Sequence, residues 1–178
     1  MSKSGKRSKN STSSPTPKAQ QVDEKINTDS LEVYQLYYRS PRREVDAHVA
    51  LFIALARNGR ILKGNIFDVQ GPDPKGRQRM SYKHVVVRSK TPENSSSFMH
   101  MNKLGHIREQ DIPQFEAVCR SVTPPNMPST YRAERPDCAD WIDNVLFRLS
   151  RARLVSFLPD AEIPSNEVPM EVADGVDS

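Results

Sequence analysis

The sequence predicts an α+β domain with an antiparallel sheet of about four or five strands and two main helices packed on it. Three observations carry that expectation. Val45 to Ala56 (VDAHVALFIALA) is apolar on both sides of a period-2 alternation. Asn58-Gly59 follows it directly and tolerates the positive φ of a tight hairpin turn. Two later segments switch to helical spacing.

Each element can be read in order. Leu31 to Arg39 (LEVYQLYYR) is Tyr-rich and alternates imperfectly, which suits a strand. In the next segment Val45, Ala47, Val49, Leu51, Ile53 and Leu55 share one face. Asp46, His48, Ala50, Phe52 and Ala54 share the other, as in a central strand covered on both sides. Ile61 to Gln70 completes the hairpin, and Gly71 to Arg79 is a polar loop. Met80 to Ser89 supplies a further strand, and Phe98 to Ile107 another. Asp111 begins a helix with Pro113 in its first turn and Ile112, Phe115, Val118, Cys119 and Val122 on one stripe; it stops before Thr123-Pro124-Pro125. Asp137 is placed to cap a last helix, whose stripe is Cys138, Trp141, Ile142, Val145, Leu149 and Ala152.

Composition divides the chain into residues 1–29, 30–158 and 159–178. The first stretch is Ser, Lys, Thr, Pro, Gln and Asn with almost no large apolar side chain, the expected composition of a flexible basic tail. The last carries six acids and no Lys or Arg, the composition of an acidic tail. Formal charges of +3, +7 and −6 fall on the three stretches, so the central domain is basic. A basic domain can meet an acidic partner, nucleic acid or its own tail. Arg39, Arg42, Arg43, Arg57, Arg60 and Lys63, with Arg77, Arg79 and Lys83, would suit a polyanion if they shared a face. Aromatic residues for base stacking are sparse among them, which ranks nucleic acid below a protein partner or an acyl or peptide substrate. No apolar run reaches the roughly 20 residues of a membrane helix, and the first 28 residues lack the apolar core of a secretory signal. The expected location is intracellular, cytoplasmic or nuclear, where Cys119 and Cys138 stay as thiols.

Chemistry is concentrated around one of those thiols. Cys138 falls in the first turn of a helix, where the macrodipole and unpaired N–H groups favour a thiolate. A nucleophilic cysteine needs an imidazole, and His48 lies on the strand face opposite the longest aliphatic row, where a helix could pack. Asp68 is about as far from the Asn58-Gly59 turn as His48 is, so the two can be cross-strand neighbours and the carboxylate can orient the ring; Asn65 is the weaker candidate. The bland alternative is a core thiol, because Cys138 shares its stripe with Trp141 and Ile142, and a strand histidine that is merely hydrogen-bonded. Cys119, mid-helix on the apolar face, reads as core. His84, His100 and His106 form no ligand spacing with either cysteine, and GPDPKGR lacks a Walker ending, so neither a metal nor a cofactor is expected.

The stretches YRSPRREVDAHVALFIAL, KGNIFDVQG, IREQDIPQFEAVCRSV and DCADWIDNVL, in that order, resemble a group of small fungal proteins. The order of a His-bearing strand before a Cys-bearing helix is also similar to circularly permuted papain-like proteins of the NlpC/P60 and lecithin:retinol acyltransferase type. That resemblance implies a permuted papain-like fold and a cysteine hydrolase or acyltransferase with Cys138 as nucleophile and His48 as base. Asp68 occupies the position that resembles the third polar residue of those enzymes, and Val49 follows His48 where an aromatic is common. A catalytically silent interaction module of the same fold is the alternative function.

Overall fold

The computed structural model describes residues 24–25, 30–39, 47–70, 83–125 and 138–166. Its strands are β1 (Glu24–Lys25), β2 (Leu31–Tyr38), β3 (His48–Asn58), β4 (Ile61–Gln70), β5 (Lys83–Lys90), β6 (Phe98–Ile107) and β7 (Ser156–Phe157). The helices are α1 (Ile112–Ser121) and α2 (Cys138–Arg151). The strands form one antiparallel sheet in the order β5-β4-β3-β2-β6-β7, with β1 pairing β3 beside that path. The domain is therefore α+β. Its five long strands are those the alternation indicates, and two two-residue strands raise the count above the four or five expected.

Both faces of the sheet are covered, which is why β3 is apolar on both sides. Val49, Leu51 and Ile53 of β3 join Val33, Phe67 and Val69 beneath the helical residues Phe115, Cys119, Trp141, Ile142, Val145, Leu146 and Leu149. On the other face Ala50, Phe52 and Ala54 pack with Tyr34, Leu36 and Leu62. Residues 91–97, including a 3-10 turn at Pro92–Asn94, run from the end of edge strand β5 to the start of β6. In sheet order that connection passes β4, β3 and β2, and Arg39 N–H bonds to Ser97 O at 2.7 Å where it reaches the end of β2.

Close backbone approach explains one glycine. A Cβ on Gly64 would lie 1.9 Å from the Ile53 carbonyl oxygen. Register shifts occur on both sides of this residue, between Ala54 and Ala56 of β3 and between Gly64 and Ile66 in the β4–β5 ladder. The hairpin turn is centred one residue later than the Asn-Gly pair suggests: Asn58 ends β3 opposite Ile61, and Gly59 alone takes positive φ, +58°, with Arg60 beside it in the turn.

Several expectations change in detail. Asp111 precedes α1, but its carboxylate accepts from Arg108 Nε at 2.7 Å and makes no cap bond. Ala152 is exposed and Leu146 takes its place in the core, because α2 ends at Arg151 and Arg153 turns at φ +54°. Glu24–Lys25 pairs with β3 although it falls within the stretch read as a flexible tail. At the other end Ala161 and Ile163 pack against the core beyond the boundary expected at residue 158. Asp137, Val45, Asp46 and Met80 lie outside the described residues.

Candidate active site

His48 is the first residue of β3 and Cys138 the first of α2. Asp68 lies on β4, and the ladder that pairs Leu51 with Phe67 and Phe52 with Ile66 carries Asp68 to the level of Ala50, diagonal to His48. His48 Nε2 hydrogen-bonds Asp68 Oδ2 at 3.1 Å and lies 3.0 Å from Oδ1, a buried oxygen that makes no hydrogen bond of its own. The carboxylate is deeply placed, with 6% of the residue exposed, and Gln70 Nε2 donates to its Oδ2 at 3.3 Å. His48 keeps 30% of its side chain in contact with solvent.

Cys138 lies near enough to the His48 ring for its hydrogen bonding and charge to act on the imidazole's pKa. With Nε2 committed to Asp68, Nδ1 is the ring nitrogen left for the sulfur. Burial alone pulls the imidazole's pKa down, but the hydrogen bonds and charges of Asp68 and Cys138 outweigh it and raise the value to about 10. The ring is therefore an imidazolium at neutral pH. Tyr38, paired with His48 across the β2–β3 ladder, has its ring centroid 6.2 Å from the imidazole. Its phenol is pushed up to about 12, first by burial and then by the negative charges of Asp68 and Glu93.

The structure thus brings together all three residues that the sequence singles out, Cys138, His48 and Asp68. The relation of His48 to the helices differs from the one expected. Both helices pack on the aliphatic row of Val49, Leu51 and Ile53, whereas His48 alternates with that row and lines the other face. It can meet Cys138 because both stand at the first residue of their elements, at the end of the sheet marked by Tyr38 and Gln70. Cys138 is 5% exposed and clusters with Trp141 and Ile142. Asn65, the weaker candidate, accepts from Ser89 N–H at 3.4 Å and is not part of this line.

A cavity of about 640 Å³ opens on His48 and Asp68. Ile66, Val87 and Tyr38 give it apolar walls, Arg39 and Lys90 are its basic residues, and Ser95, Ser96 and Ser97 come from the connection above the sheet. Cys138 is not among its lining residues. None of these wall residues was singled out from sequence except Arg39, as one of a set of cations. The signal for Tyr38 was its β2–β3 register with His48, which strand alternation alone does not supply.

The other sequence candidates separate. Cys119 is buried and desolvation pushes its thiol strongly up, with Glu116 adding to the effect. His84 donates from Nε2 to the Val122 carbonyl at 2.8 Å and lies 5.8 Å, ring to ring, from Trp141. Among the described residues no cluster of His, Cys, Asp and Glu could hold a metal ion, and no helix is long and apolar enough to cross a membrane. The cations do not form one face there: Arg39 stands at the His48 end, whereas Arg57 and Arg60 stand at the β3–β4 turn and Arg57 is paired with Glu32 at 2.5 Å. Arg42, Arg43, Arg77 and Arg79 lie outside the described residues.

Fold and site together define an α+β domain with a Cys-His-Asp line at a helix N-terminus. Residues 33–156 match the model of DUF6540, a family of unknown function, and the chain belongs to that family. Comparison with curated proteins and with solved structures finds no match.

Proposed function

We propose that the domain is a cysteine hydrolase or acyl-transfer enzyme with Cys138 as nucleophile, His48 as its proton partner and Asp68 as the residue that orients and charges the ring. The observation that carries this reading is the hydrogen bond of His48 Nε2 to the buried carboxylate of Asp68 at 3.1 Å, with Cys138 near enough to the same ring to raise its pKa. A nucleophile, a base and an orienting carboxylate in series are what activated-thiol chemistry needs. The resemblance to permuted papain-like proteins supports the same assignment.

In this mechanism the Cys138 sulfur, its proton held on His48, attacks an amide or ester carbonyl carbon and forms a thioester after the tetrahedral intermediate collapses. The carbon–nitrogen or carbon–oxygen bond breaks as the imidazolium gives its proton to the departing group. His48 then takes a proton from a water or an acceptor alcohol or amine, which displaces the sulfur and restores the thiol proton to the pair. Backbone N–H groups in the first turn of α2 are the available donors for the oxyanion.

One observation favours a second reading, a catalytically silent interaction module. Cys138 is 5% exposed, sits in the apolar cluster, and does not line the cavity. The pH dependence of alkylation by iodoacetamide, followed at each cysteine by mass spectrometry, separates the two. Fast reaction of Cys138 below about pH 7, slowed in His48→Ala while Cys119 stays inert, supports the enzyme. Equal sluggishness of both thiols in the unmodified protein supports the module.

A further inference from the structure

The walls of the cavity narrow the substrate class of the proposed enzyme. His48 and Asp68 face one another at 3.0 Å and largely cancel, which leaves Arg39 and Lys90 as the remaining charged lining residues. Both are basic, and neither takes part in an ion pair among the described residues. They stand at different places along the sheet. Arg39 follows Tyr38 at the His48 end, whereas Lys90 pairs with Gly64 towards the other end of β4. Between these levels Ile66 and Val87 are direct cross-strand partners and supply an apolar floor. Arg39 and Lys90 are both exposed at the cavity's rim, so their pull on a carboxylate is modest and screened by salt. The volume, about 640 Å³, suits a small molecule.

We propose that this cavity binds a small acidic acyl compound, its amide or ester carbonyl turned towards His48 beside Arg39, its apolar chain over Ile66 and Val87, and its negative group drawn towards Lys90 at the other end. The orientation of the carbonyl rests on the enzyme reading; the preference for an acidic compound rests on the walls alone. A neutral acyl chain of equal length fills the same floor but leaves Lys90 without a counter-charge.

The probes are glutaryl p-nitroanilide and its neutral counterpart pentanoyl p-nitroanilide, bound to the full chain carrying Cys138→Ser and followed by calorimetry, so that no turnover is required. The expected result is about threefold to fivefold tighter binding of the glutaryl compound, the scale of one exposed ion pair. That preference should fall with added salt and vanish in Arg39→Gln/Lys90→Gln, whose melting temperature is checked against the parent. Equal affinities, no binding of either compound, or a preference that survives the double substitution overturns the proposal. Tight, cation-dependent binding with no release of p-nitroaniline by the unmodified protein counts against hydrolysis and leaves the acidic-ligand assignment standing.

Discussion

Asp68 holds His48 from a β4 position diagonal to it across the hairpin: its Oδ2 takes the hydrogen bond of ring Nε2 at 3.1 Å, and its Oδ1 lies 3.0 Å from the same nitrogen. A buried carboxylate next to an imidazole that is itself within reach of a thiol ties the charge of three groups together, so the pair can be tested without knowing a substrate.

Asp68→Asn keeps the side chain's shape and removes the negative charge. The His48 pKa, raised to about 10, is expected to fall back towards the ordinary imidazole range near 6.5 when followed by NMR titration. The sign of the linked stability follows: a raised imidazole stabilises the fold fully below about pH 6.5 and loses that contribution as pH climbs towards 10. The substitution should therefore cost on the order of 2 kcal/mol at pH 6 and progressively less at higher pH, read from urea unfolding.

Glu32 gives the opposite pH dependence. Burial works against its ionisation, but Lys103 at 2.7 Å, Tyr34 at 2.9 Å and Arg57 at 2.5 Å outweigh that and lower its pKa to about 2. A depressed carboxyl stabilises the fold above its unfolded value and loses the contribution as the pH drops from about 4.5 towards 2. Glu32→Gln should lose on the order of 2 kcal/mol at pH 7, and the gap from the parent should shrink through that acid window in denaturant titrations.

Gly64→Ala places a methyl 1.9 Å from a backbone oxygen of the neighbouring central strand, where no side chain can move aside. A loss of about 3 kcal/mol or failure to fold is expected, measured by thermal unfolding. Gly59→Ala, with nothing within 4 Å but φ at +58°, should cost only about 1 kcal/mol.

Phe67 and Phe115 join the sheet to α1 with ring centroids 5.0 Å apart, and both are fully buried. Phe67→Ala should lower stability by about 4 kcal/mol through the cavity it leaves. A double substitution with Phe115→Ala should cost less than the two losses added, because both act on one contact.

The sequence made the five long strands and two helices legible because each has a complete period of its own. Alternation through Val49, Leu51 and Ile53 and the helical stripe through Trp141, Ile142 and Val145 point at a common core, and they meet in it. The site was legible as residues and only partly as geometry. Counting back from the Asn58-Gly59 turn brings Asp68 near His48, but the irregularity at Leu55 sets the register that makes the contact diagonal. Which face of the sheet the helices cover depends on tertiary packing, and both faces of β3 are apolar enough for either answer. The two-residue strands carry too little pattern to read. The network around Glu32 joins three separate strands through side chains whose partners are set by sheet order, so no local spacing announces it.

The passage of residues 91–97 across the sheet also bears on how the chain acquires its fold. Strands β2 to β5 are successive neighbours and can pair as a meander while the chain is still short. The partner of β2 on its other side is β6, which brings Ile107 to Leu31 and arrives last among the long strands. Until then β2 presents an open edge rich in tyrosine and leucine, with nothing in the meander to cap it. During synthesis or refolding that edge is a sticky template for other chains, and closure by a strand so distant in sequence is slow relative to hairpin formation. Crowded, unfinished chains would be most prone to clump at this step, and yield on refolding should fall with protein concentration more steeply than the stability of the finished domain suggests.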